Sequence, residues 1–195
     1  MVFDRRVGGE EYTFGVSGLL YHSDVLMYDH QTDSLWSQLM MQSIAGQKVS
    51  SPLTWLVSEE MAWGAWRERH PETLVLSKDT GYERNYDGTA YASYMKFDGV
   101  MFPVPRTREE LPQREWVMGI IVDGVAKAYP IDALQLLNGE PLLDRIGSLD
   151  VTIIYDESKK WPSAMRTDTK ETLPHVRVYW FAWQAFYPET QLYTP

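Results

Sequence analysis

The chain has 195 residues, 44% of them apolar and 13% aromatic, with 8 Trp and 12 Tyr, so large rings are available to offset ordering entropy, which argues against disorder. Its 18 basic and 27 acidic residues give a formal charge of −9 without a basic run, which argues against nucleic acid and anionic membrane as partners. Absence of Cys excludes disulfides and thiolate chemistry, and no stretch approaches the ~20 apolar residues of a membrane span, so the sequence as written predicts a soluble, cytoplasmic protein.

In chain order, residues 2–16 predict a hairpin in which Val2-Phe3-Asp4 and Tyr12-Thr13-Phe14 flank a turn at Gly8-Gly9, where glycines permit positive φ. Residues 19–29 predict a strand, His30-Gln31-Thr32-Asp33 a turn, and residues 34–38 the returning strand. Ser58 caps a predicted helix over residues 58–69, with Glu59 and Glu60 in its first turn and Arg67 and Arg69 in its last. Pro71 ends it, and Thr73-Leu74-Val75-Leu76 predicts a further strand. Residues 77–116 carry Asp79-Thr80-Gly81, Asp87-Gly88, Asp98-Gly99 and several Pro, the signature of a connector. Its Tyr82, Tyr86, Tyr91 and Tyr94 are expected to pin it to the body, and the mixed charges from Arg106 to Arg114 read as a solvated loop. Asp123-Gly124 predicts a hairpin joining residues 117–122 to 125–129, followed by one or two helical turns within residues 131–137 and a strand over residues 149–155.

One unit occurs twice. Trp63-Gly64-Ala65-Trp66 through His70-Pro71-Glu72-Thr73 aligns without a gap on Trp180-Phe181-Ala182-Trp183 through Tyr187-Pro188-Glu189-Thr190. Each copy predicts a short helix whose two Trp, three residues apart, face a sheet, then a Pro-set turn feeding an edge strand. The expected fold class is α+β, predominantly antiparallel β, with internally duplicated hairpin units that each carry a Trp-bearing helix. The expected organisation is a first half over residues 1–76, a connector over 77–116 and a second half over 117–195, in one compact domain.

Several segments together resemble a known family: Phe14-Gly15-Val16-Ser17-Gly18-Leu19-Leu20-Tyr21-His22-Ser23-Asp24, Met27-Tyr28-Asp29, Ser34-Leu35-Trp36-Ser37-Gln38, Ala126-Lys127-Ala128-Tyr129-Pro130, and Phe181-Ala182-Trp183-Gln184-Ala185-Phe186-Tyr187-Pro188-Glu189-Thr190. The chain is similar over nearly its whole length to the domain-of-unknown-function family DUF3179, a resemblance that implies relatives without implying a reaction. It also implies a Cys-Pro-x-Cys segment upstream of the portion matching Met1 to Arg5, so the chain is expected to be a short form or a fragment. Where the family pattern has Asn, this sequence has His22. A missing pairing segment would leave an open edge strand, from which a homodimer, or an edge covered by the connector, is expected.

Candidate chemistry centres on Tyr21-His22-Ser23-Asp24. In a continuous strand, His22 and Asp24 project from one face about 7 Å apart, the spacing of an acid/base pair or half a metal site. In the plainer alternative, Asp24 and Asp29 satisfy turn amides and His22 is a surface residue. Tyr21, Tyr28, Trp36 and Gln38 could line an aromatic slot, with core packing as the competing use of Trp36. Lys127 is either a buried cation facing an Asp or an exposed strand residue. Ser17 lacks the second glycine of a nucleophile elbow, and no phosphate-binding or calcium loop is present. The preferred reading is a protein that binds a small polar ligand or a protein partner near residues 21–38. The rivals are a hydrolase-like or metal-assisted enzyme using His22 and Asp24, and a degenerate remnant. No cofactor is expected, and a divalent metal at His22 and Asp24 stays open.

Overall fold

Short antiparallel hairpins follow one another through most of the chain, as its alternating apolar residues and turn formers require. The computed structural model describes residues 1–88, 91–97 and 99–195; Asp98, of the Asp98-Gly99 turn signal, lies outside the described residues. The first half contains β1 (Val2–Asp4), β2 (Arg6–Val7), β3 (Glu10–Glu11), β4 (Phe14–Tyr21), β5 (Asp24–Asp29), β6 (Leu35–Ser37), β7 (Gln42–Ala45), β8 (Thr54–Leu56) and helix α1 (Trp63–Arg69). Helix α2 (Ala92–Lys96) lies in the connector. Beyond it come β9 (Trp116–Val122), β10 (Val125–Pro130), α3 (Ile131–Gln135), β11 (Leu142–Ile146), β12 (Leu149–Asp156), β13 (Trp161–Arg166), β14 (His175–Tyr179), α4 (Trp180–Phe186) and β15 (Gln191–Leu192).

Strands β4 to β7 form an antiparallel meander in chain order. The predicted strand over residues 19–29 is two strands: β4 and β5 meet at His22 and Ser23, whose φ values of 48° and 66° give the doubly left-handed turn that matches strand twist. His22 and Asp24 therefore do not share a strand face. The Gly8-Gly9 turn forms as expected but joins only β2 to β3, whereas β1 pairs with β8, Phe3 opposite Trp55. Tyr12 is drawn away from the expected pairing by burial against Trp36, with ring centroids 6.4 Å apart.

In the second half, β14-β9-β10-β15 form one sheet and β11-β12-β13 another. The core lies between these sheets and α3, around Met118, Ile120, Tyr129, Leu134, Ile153 and Tyr155. A second cluster joins the halves: Leu39 packs with Val117, Ala128, Trp180 and Trp183, and the Tyr187 hydroxyl donates to the Leu39 carbonyl. Among the described residues no helix is long and apolar enough to cross a membrane.

The repeated unit keeps its local geometry and loses its equivalence of setting. In both copies the indole N–H donates to the threonine hydroxyl seven residues on, Trp66 to Thr73 and Trp183 to Thr190, at 2.9 Å each. The C-cap residues His70 and Tyr187 share an irregular backbone conformation (φ −131° and −125°), and each ring packs on its own Trp, at 4.1 and 4.5 Å. Yet Trp180 and Trp183 are fully buried while Trp63 is 48% exposed. Trp183 lies on Gly119, where an added Cβ would stand 2.4 Å from the ring, and β15 pairs in parallel with β10. The first copy has no such sheet: Leu74 and Leu76 are 96% and 90% exposed, and the strand expected at residues 73–76 does not form.

Three further expectations are corrected by the structure. Helix α1 begins at Trp63, without a side-chain cap or an acid in its first turn, because Glu59 and Glu60 pair instead with Arg69 and Arg177. Of the connector tyrosines, Tyr82, Tyr86 and Tyr91 are exposed; only Tyr94 is held, beneath the Arg114 guanidinium at 4.5 Å. Arg108 and Arg114 are accordingly half-buried and not freely solvated.

Candidate functional site

The tip of the β4–β5 hairpin positions the residues singled out in the sequence, and the turn scatters them. Tyr21 is partly exposed and packs on His22 and on Phe186 of α4, at 4.0 and 5.9 Å. His22 also meets Phe186 at 5.3 Å, and burial holds its pKa below the ordinary value. Asp24 opens β5 with Oδ2 buried and unpartnered. Burial pushes its carboxyl up to about 6, against the pull of the Leu39 and Val25 amides. Among the described residues no three His, Asp or Glu side chains gather as a metal ion would require.

The aromatic slot expected along β5 and β6 is filled. Trp36 is fully buried between Tyr12 and Phe14, and its indole N–H donates to Asp29 Oδ2 at 2.8 Å. Asp29, fully buried, also accepts from the Thr32 amide at 2.6 Å and from the Thr32 hydroxyl. Burial alone would raise its pKa, but the bonds from Trp36 and Thr32 hold it below the usual carboxylate range. Tyr28 lies across Gly15, where a Cβ would meet the ring at 2.6 Å, with its edge toward His30. Gln38 Nε2 donates to the Val25 carbonyl and ties the turn after β6 to β5. Lys127 belongs to another part of the molecule: its Nζ pairs with Asp144 Oδ2 at 2.6 Å with 13% of the side chain exposed, the buried-cation alternative. The Tyr129 hydroxyl donates to the same oxygen.

An opening exists beside the hairpin tip. A cavity of about 350 Å³ is walled by Leu20 and Ser23 of the hairpin, by Tyr91, Ser93 and Tyr94 around α2, by Met101 and Phe102, and by Phe181 of α4. The Ser23 hydroxyl donates to the Phe102 carbonyl at 2.7 Å, pinning the connector over the turn. Arg114 supports the other side, donating to the Tyr94 carbonyl at 2.8 Å and stacking on Tyr94 and Tyr179. Of the predicted region only Ser23 contributes directly, with Tyr21 and His22 packed alongside on Phe186. Of the connector rings dense in the sequence, Tyr91, Tyr94 and Phe102 go to the cavity wall, while Tyr82 and Tyr86 do not. Such a wall, aromatic and aliphatic, with the hydroxyls of two serines and two tyrosines and no charged side chain among the described residues, suits binding.

A family model described as "Protein of unknown function (DUF3179)" matches residues 1–173. Neither the curated proteins nor the solved structures yield a match.

Proposed function

The chain belongs to the DUF3179 family, a membership that names no activity, and we propose that the protein is a binding module whose ligand places an apolar, ring-sized group in the cavity beside the β4–β5 turn. The observation that carries this reading is the chemistry of the wall: Tyr91, Tyr94, Phe102 and Phe181 with Leu20 and Met101, and hydroxyls from Ser23 and Ser93. These serine hydroxyls, with those of Tyr91 and Tyr94, can orient a ligand with one or two polar atoms, while apolar burial supplies most of the affinity. The acid/base use of His22 and Asp24 is the weaker reading, since the neighbours of His22 are the rings of Tyr21 and Phe186 and, among the described residues, no cluster of three His, Asp or Glu includes them.

Titration with indole and with n-butanol, followed by amide chemical shifts, tests the proposal. Shifts should concentrate at Leu20, Ser23, Tyr94 and Phe102 and be lost in Leu20→Arg, a position 45% exposed where the larger side chain can be accommodated. Scattered shifts, none at millimolar probe, or shifts that persist in Leu20→Arg overturn it.

A further inference from the structure

In a chain of net charge −9, four of the 18 basic side chains converge on one trough. Arg114, Lys160 and Arg177 line a cavity of about 290 Å³ with Trp116 and Tyr155. A neighbouring cavity of about 250 Å³ is lined by Lys159, Lys160, Arg177 and Glu60. The two share Lys160 and Arg177 and so form one trough, separate from the apolar cavity of the proposed function.

Arg177 and Lys159 are held in place, while Lys160 is 72% exposed. The Arg177 guanidinium lies over Trp116 at 4.9 Å and over Trp161 at 5.5 Å, and Trp116 is itself stacked on Tyr179 at 3.9 Å. With rings on its faces, the guanidinium can offer its N–H edge, the geometry that receives a carboxylate in two bonds. Lys159 is 22% exposed beside Asp156. The acids facing these cations are Glu115 and Asp132 in the lining, Asp156 at 3.5 Å from Lys159 and Glu157 at 3.3 Å from Lys160. Burial, and then the charge of Asp132, push the Glu115 carboxyl up.

Two adjacent carboxylates of the chain already sit on these cations. Glu60 pairs with Arg177, and Glu59 approaches Lys159 at 3.9 Å. Both are about half exposed, at 49% and 55% of their side chains, and come from the extended segment before α1, so withdrawing them uncovers no core. Exposed pairs of this kind contribute little to stability. Their arrangement is that of a tethered dianion resting in a receptor.

We propose that the trough binds a small dicarboxylate, one carboxylate taking Arg177 from Glu60 and the other taking Lys159 from Glu59. An internal competitor lowers apparent affinity by the fraction of time it vacates the site. Removing it should therefore tighten binding.

Calorimetric titration at low ionic strength with succinate, acetate and inorganic phosphate tests this on the full chain. Succinate should bind more tightly than either other anion. The Glu59→Gln/Glu60→Gln variant should bind succinate about tenfold more tightly, whereas Glu68→Gln/Glu72→Gln, the same charge change on exposed positions outside the trough, should leave it unchanged. Arg177→Gln should weaken succinate at least tenfold. Lys159→Gln serves as an independent variant should Arg177→Gln, which loses its stacking on two Trp, fail to fold. Succinate no tighter than acetate, phosphate equal to succinate, equal gains from the two double variants, or unaltered binding in Lys159→Gln would each overturn the proposal.

Discussion

Asp24 and Asp29 begin and end one six-residue strand, and their surroundings drive them in opposite directions. Asp29 has strong donors aimed at it; Asp24 Oδ2 is buried with none. For Asp24 the folded-state pKa, about 6, lies above the ordinary 3.8 of a free aspartate, so the folded state holds the proton more tightly than the unfolded one. Its contribution is therefore most favourable below about pH 4 and declines as pH rises through about 6. Asp24→Asn should stabilise the protein by about 2 kcal/mol at about pH 7.5 and by little at about pH 4, read by urea unfolding at the two pH values; an equal gain at both would refute the assignment. Trp36→Phe keeps most of the ring volume but removes a donor from a buried carboxylate, and should cost about 1–3 kcal/mol in the same measurement. The sequence placed Asp29 correctly in its turn and misplaced His22, because His-Ser is an uncommon pair for two left-handed turn positions. The Asn implied there by the family resemblance is a residue that favours left-handed backbone, so the turn signal was present and its meaning was missed.

At the scale of elements, hairpins with glycine at the tip were legible: Gly8-Gly9 and Asp123-Gly124 turn as their chemistry requires. Partners separated by long stretches of chain, such as β1 with β8, were not, since nothing in Val2-Phe3-Asp4 names Thr54-Trp55-Leu56. The repeated Trp unit separates the two kinds of information. Its Trp-to-Thr bond and cap are written within eleven residues and appear in both copies, whereas burial of Trp183 depends on the absence of a side chain at Gly119, far away in sequence. Removing the hydroxyl should therefore matter in one copy only. Thr190→Val leaves a buried indole N–H unpaired and should lower stability by about 1–3 kcal/mol, while Thr73→Val, on the exposed copy, should change it by less than about 0.5 kcal/mol, both measured by thermal unfolding. Gly119→Ala drives a methyl into the Trp183 ring and should cost about 1–3 kcal/mol or more; a neutral result would mean that α4 can shift away from β9 freely.

Across the whole molecule, the acidic balance and the β-rich class could be read from composition, but the sites could not, because each is assembled from segments far apart in the chain. The apolar cavity takes walls from residues 20, 23, 91, 93–94, 101–102 and 181, and the trough from residues 60–62, 114–116, 131–132, 135, 155, 159–160 and 177. Every residue from Arg67 to Gly88 is exposed, so this stretch is the part of the fold with least burial to protect its backbone. Limited trypsin digestion should cut first after Lys78 or Arg84, and the two fragments should co-elute on size exclusion, held by the Leu39 cluster and the ion pairs of Glu59 and Glu60. Early cleavage at Lys127 or Arg166 instead would contradict that distribution of stability.

The exposed copy of the Trp unit shows that the motif takes its shape in water without a sheet beneath it. Contacts that span so few residues close quickly. The buried twin, α4, is therefore expected to be assembled while β9 and β10 are still finding each other, and to arrive as a finished wedge. The slow event in folding is then the seating of that wedge over Gly119, and a substitution there should retard refolding more than one that merely weakens the helix itself.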